Sequence, residues 1–117
     1  MARAVRAAPR RRAPGAWMQA VSHGPGPARC YLLGMAAGRG VPPHSHRAGE
    51  MTVVLKGAFR DGDVILGPGD FSEHDGEVSH APQATADGDC VCLIYTDGPL
   101  VPADWIGRIV FPLLGFG

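Results

Sequence analysis

The chain has 117 residues, enough for one domain with a modest core. Its 17 Gly and 11 Pro exclude a helical bundle, and it has no apolar run of about eighteen residues to cross a membrane as a helix. Net charge is zero but unevenly spread: eight of the eleven basic residues, all Arg, lie in residues 1–49 with no acid among them, and all eleven acids lie in residues 50–117.

The first segment, Met1–Arg12, is rich in Arg, Ala and Pro and has little to bury. The expectation is a disordered tail over residues 1–16, followed by one domain over residues 17–117. A nucleic-acid arm is not expected, because no aromatic side chain is interleaved with the arginines. Arg10-Arg11-Arg12 leads into Ala-Pro-Gly-Ala-Trp and not into the apolar core of a secretory signal, so the expected location is cytoplasmic.

Short β-rich runs follow, separated by Gly and Pro. Trp17–Val21 reads as a first strand, Gly24-Pro25-Gly26-Pro27 as a turn, and Arg29–Ala36 as a strand. Pro42-Pro43 forces an extended approach to His44. Met51–Leu55 and Val64–Leu66 are strands, the second closed by Gly67-Pro68-Gly69. Asp70–His74 and Ser79–Thr85 flank a turn at Asp75-Gly76. Cys90–Thr96 is the longest apolar strand and should be central. Trp105–Leu114 closes the chain as a strand that Pro112 confines to an edge, although Pro102–Arg108 has room for one helical turn. Strands at spacings near ten residues predict an all-β sandwich or barrel.

The segment His44-Ser45-His46-Arg47-Ala48-Gly49-Glu50 carries the chemistry. Residues two apart on a strand share a face, so His44 and His46 aim at one point. Glu50 keeps that parity if the strand runs through Gly49. His80 is a fourth candidate, downstream of Gly67-Pro68-Gly69-Asp70. Three imidazoles and one carboxylate suit zinc, iron, manganese or nickel better than calcium or magnesium. The second ring nitrogens need acceptors, and Glu73, Asp75 and Glu77 are the candidates by proximity in sequence. His74 points away from Glu73 and Asp75 and is expected at the surface, and His23 in a loop. Of the three Cys, Cys90 and Cys92 share one strand face. They read as small buried hydrophobes, with a redox-sensing pair as the alternative, and Cys30 reads as structural.

The string from Gly38 through His44, His46 and Glu50 to Gly57 reads Gly-x5-His-x-His-x3-Glu-x6-Gly and resembles the first motif of the cupin superfamily. From Trp17 to Gly117 the chain is similar to the ChrR-type cupin domain of bacterial anti-sigma factors. The matching stretches are Leu32-Leu33-Gly34-Met35, Met51 to Asp61, Gly69-Asp70-Phe71, Val78-Ser79-His80-Ala81-Pro82 and Cys90-Val91-Cys92-Leu93. The second cupin motif departs from the general pattern. His74 stands where a proline falls, three residues separate Gly76 from His80, and Ala84 stands where an Asn often follows.

The resemblance implies a small single-domain jelly-roll-like β-barrel with a metal inside its mouth, held by His44, His46, Glu50 and His80. One divalent transition metal is expected, zinc first, with iron, manganese or nickel as alternatives. The implied role is a sensory or regulatory cupin of oxidative-stress response, with no catalytic residue assigned. The other reading is a small metal-dependent dioxygenase of diketones or hydroxyketones. The His and Cys ligands of the sigma-binding helical domain are not in this sequence, so direct sigma-factor binding is not expected. A homodimer and a small-molecule ligand are compatible with the reading, whereas membrane and nucleic-acid partners are not expected.

Overall fold

The computed structural model describes residues 10–22, 28–46, 49–74, 80–97, 100–103 and 105–114, with the side chains of Ser22, Ser45, His46, Leu100 and Val101 outside the described set. The strands in chain order are β1 (Arg11–Ala13), β2 (Ala16–Ser22), β3 (Arg29–Met35), β4 (His44–His46), β5 (Glu50–Lys56), β6 (Phe59–Asp61), β7 (Val64–Leu66), β8 (Phe71–His74), β9 (Gln83–Ala84), β10 (Cys90–Thr96) and β11 (Leu100–Pro102). One helix, α1 (Trp105–Leu113), follows them.

Burial alternates along the long strands. On β5, Glu50, Thr52 and Val54 are buried while Met51 and Leu55 are exposed. On β10, Cys90, Cys92, Ile94 and Thr96 point inward. Period-two burial is what a sheet with one face on a core requires. The pairing is antiparallel throughout: a six-stranded sheet ordered β1-β2-β3-β10-β5-β8, a three-stranded sheet β7-β6-β9 and a two-stranded sheet β11-β4. The sheets enclose a core that includes Leu33, Met35, Val54, Phe59, Cys92 and Ile94. This is the expected all-β, jelly-roll-like architecture, although among the described residues the three sheets are not joined into one closed ring. Cys90–Thr96 is central as expected, lying between β3 and β5.

Gly34 and Gly57 are among the glycines demanded by close approach. At Gly34 a Cβ would sit 2.0 Å from Trp17 Nε1, because the indole of the paired residue lies across the glycine. Gly57 has φ +73°, and a Cβ there would meet the Asp89 carbonyl oxygen at 2.1 Å. That explains Gly57 as the last residue of the motif string: it lets the chain turn from β5 to β6 against the start of β10.

Three expectations are corrected. Ordered structure begins before Trp17, since Arg11, Arg12 and Ala13 pair with Met18, Trp17 and Ala16, and Gly15 O accepts from Ala36 N at 3.0 Å. Arg10 adds a cation–π contact, its guanidinium 3.9 Å from the Trp17 ring centroid. The Trp105–Leu114 segment is a helix and not an edge strand. Gly107, Phe111 and Leu114 are buried at helical spacing, and Pro112 falls in the last turn, where only one backbone bond is lost. Finally, the strand does not run on through Gly49, the condition on which Glu50 would have kept the parity of His44: β4 belongs to the two-stranded sheet and β5 to the six-stranded one.

Candidate metal centre

Pro42-Pro43 deliver the chain in extended form to β4, whose first residue is His44. His44 is bridged to His80 in antiparallel fashion, with His44 N donating to His80 O at 3.0 Å and His80 N to His44 O at 2.8 Å. Directly opposed residues project to the same side. Both rings therefore face the interior, 4.5 Å apart by centroids, and both residues are buried. Glu50 arrives from the other sheet as the first residue of β5 and is also buried. Donor atoms of His44, Glu50 and His80 lie within 4.8 Å of one another. His46 is two residues on from His44 along β4. Its side chain lies outside the described residues, as does His23.

Each donor is held by an acceptor or donor of its own. His44 Nδ1 is 2.9 Å from the Pro42 carbonyl oxygen, which can only accept. The proton is therefore on Nδ1, and Nε2 keeps its lone pair. His80 Nδ1 is 3.2 Å from Asp61 Oδ2, which likewise accepts, while its Nε2 is 3.9 Å from Glu50 Oε2. Glu50 Oε1 accepts from Thr52 Oγ1 at 3.0 Å. Phe111 of α1 sets its ring edge-on to His44 at 5.3 Å, so the helix helps to hold that imidazole. Burial holds the His80 ring below its ordinary pKa, against the carboxylates of Glu50 and Asp61, which pull it up.

Of the three expected acceptors only Glu73 is described, and it does not serve. Glu73 is exposed and pairs with Met51 on the outer face, and Asp75 and Glu77 lie outside the described residues. The acceptor is Asp61, at the end of β6. The signal for it was parity with buried Phe59, two residues earlier. His74 is also corrected from the surface to the site. β8 pairs with β5 so that His74 stands opposite Glu50, which turns its ring inward. His74 Nε2 lies 2.8 Å from Asp61 Oδ2, and its ring is 4.4 Å from that of His80.

Two small cavities adjoin Glu50. One, about 10 Å³, reaches Thr52, His74, His80 and Cys92, and the other, about 20 Å³, reaches Tyr31, His44 and Phe111. Each has room for about one water. An open cleft of about 270 Å³ leads in from outside, bordered by Glu50, Glu73, His74, Tyr95 and Asp97.

Jelly-roll-like antiparallel sheets with a buried His/His/Glu cluster between them define a cupin. Residues 9–100 match the family described as the ChrR Cupin-like domain, and the chain belongs to that family. It is 41% identical over 98 residues to the anti-sigma-E factor ChrR of Cereibacter sphaeroides, covering 84% of this chain and 46% of that protein. The chain thus spans less than half the length of this curated relative. It also matches the crystal structure of Rhodobacter sphaeroides SigE in complex with the anti-sigma ChrR, with TM-score 0.69 and 39% identity over 80% of this chain and 49% of that one. An acetylacetone dioxygenase from Acinetobacter johnsonii superposes with TM-score 0.69 at 15% identity, covering 80% of this chain and 66% of that one, a likeness of fold alone.

Proposed function

We propose that this chain is a metal-binding ChrR-like cupin with a sensory or regulatory role in the response to oxidants. His44, His46, Glu50 and His80 would hold one divalent transition metal, zinc first. The observation that carries this reading is the orientation of the two described imidazoles. Nδ1 of His44 donates to the Pro42 carbonyl and Nδ1 of His80 to Asp61, which leaves Nε2 of each ring as the nitrogen a metal would take, and donor atoms of both rings lie within 4.8 Å of one of Glu50. Metal-binding histidines are characteristically oriented by such partners. Imidazole nitrogens with one carboxylate suit zinc and its transition-metal neighbours.

A bound metal of this kind supplies Lewis acidity or, if iron, redox chemistry. The chain's residues supply orientation and exclusion of water. The water-sized cavities beside Glu50 favour a regulatory site over a dioxygenase, because neither admits a diketone. The outer cleft is rimmed by Glu73 and Asp97, a poor setting for an enolate. The kinship with an anti-sigma factor supports the regulatory reading further.

Elemental analysis of protein purified without added metal tests it. One equivalent of zinc per chain is expected. Metal-free protein that takes up no transition metal on titration overturns the proposal.

A further inference from the structure

We propose that Asp61 and His74, together with Nδ1 of His80, form a capture site that receives the metal from solvent and passes it to the inner cluster of His44, Glu50 and His80. This rests on the metal-binding reading above and concerns the route by which the ion arrives.

Donor atoms of Asp61, His74 and His80 lie within 4.8 Å of one another, as those of the inner cluster do, and Asp61 Oδ2 is 2.8 Å from His74 Nε2 and 3.2 Å from His80 Nδ1. They offer two imidazoles and a carboxylate, the same donor chemistry. The two groups differ in access. Side-chain exposure falls from 24% at His74 to 13% at Asp61, 6% at His80 and 5% at Glu50. His74 and Glu50 both border the 270 Å³ cleft, with the carboxylates of Glu73 and Asp97 beside them. A cleft lined by negative charge raises the local concentration of cations. A buried metal site needs a way in, and this one is graded from acidic rim through His74 and Asp61 to the interior.

His80 belongs to both groups, and its two nitrogens make them alternatives. A neutral imidazole carries one proton, so one nitrogen binds and the other donates. An ion at the outer cluster would take Nδ1, the nitrogen 3.2 Å from Asp61 Oδ2. An ion at the inner cluster would take Nε2, the nitrogen 3.9 Å from Glu50 Oε2.

The test is stopped-flow uptake of cobalt(II) by the metal-free full chain. His74→Gln should slow uptake at least about tenfold, and by a larger factor than it weakens equilibrium affinity, because His74 lies outside the inner ligand set. The double variant His44→Ala/Glu50→Ala should still bind cobalt(II) weakly, with a visible absorption band that the added His74→Gln removes. Unchanged uptake in His74→Gln overturns the capture site and leaves the inner site standing. Wild-type protein that binds no cobalt(II) overturns both. If the double variant does not fold, the uptake rate of His74→Gln decides alone.

Discussion

His44 and His80 exchange two backbone hydrogen bonds, of 3.0 and 2.8 Å, which hold two distant stretches of chain at a fixed separation while their rings stand 4.5 Å apart. The ring spacing is thus set by main chain, which a side-chain substitution leaves in place.

Single substitutions should accordingly remove metal without unfolding the protein. His44→Ala and His46→Ala are expected to lose most bound metal, with Glu50→Ala and His80→Ala also weakened. Asp61→Asn should lose about tenfold to a hundredfold in affinity by misdirecting His80. Elemental analysis and chelator competition measure this, and near-full occupancy in His44→Ala and His46→Ala would sink the ligand assignment.

Acid should act on the metal-free fold as well as on binding. Burial, the largest influence, holds His80 below its ordinary 6.5, so the unfolded chain takes up its proton first as pH falls. Stability is therefore full above about pH 6.5 and declines as pH drops from there towards the lower folded value. The metal requires the same neutral ring, so affinity should fall in the same direction. Thermal melts and chelator competition from pH 5 to 8 check both, and a melting midpoint independent of pH across that window would contradict the assignment.

The N-terminal residues should divide into two parts. Deleting residues 1–9 is expected to leave metal content and thermal midpoint nearly unchanged. Deleting residues 1–15 removes β1, the Arg10–Trp17 contact and the Gly15 acceptor for Ala36. A loss of about 1–2 kcal/mol, or roughly 4–8 °C per kcal/mol, is expected from that second deletion. Equal midpoints for the two deletions would show that β1 contributes nothing.

Gly57→Ala should be among the most damaging single-methyl changes. The new Cβ meets the Asp89 carbonyl oxygen at 2.1 Å, and φ is +73°. The expected cost is about 2 kcal/mol or more. Gly62→Ala, also at positive φ but in open space, is the control and should cost less. Urea titration of the two variants decides, and equal midpoints would refute the close-approach argument.

Regulator and enzyme separate by oxygen bookkeeping. Cys90 and Cys92 bring their sulfurs to 3.6 Å inside the core, with Cys92 beside the cavity that reaches His80. The hydrogen bond to Cys90, then burial, pushes the Cys92 thiol up, while the same hydrogen bond draws Cys90 down. Exposure to singlet oxygen should release metal or oxidise ligands. An oxygen electrode with iron-loaded protein and small β-diketones should record no sustained uptake. Many turnovers per chain, abolished in His46→Ala, would instead favour the dioxygenase.

Local pattern determined much of this protein. Period-two runs and Gly/Pro punctuation located β3, β5, β7 and β10, and the spacing of His44, His46 and Glu50 marked the candidate site, because strand parity and turn geometry act over a few residues. What crosses between elements was decided only by the tertiary structure. Glu50 joins His44 from a different sheet, so its place depends on how two sheets face each other and not on continuous parity. His74 turns inward because β8 registers on β5 with His74 opposite Glu50, and a shift of one residue would have put it outside. Asp61 serves His80 through a contact between separate strands, invisible in linear spacing. The Trp105–Leu113 segment becomes a helix because Gly107, Phe111 and Leu114 bury on one side of it, against a core that exists only once the sheets have assembled.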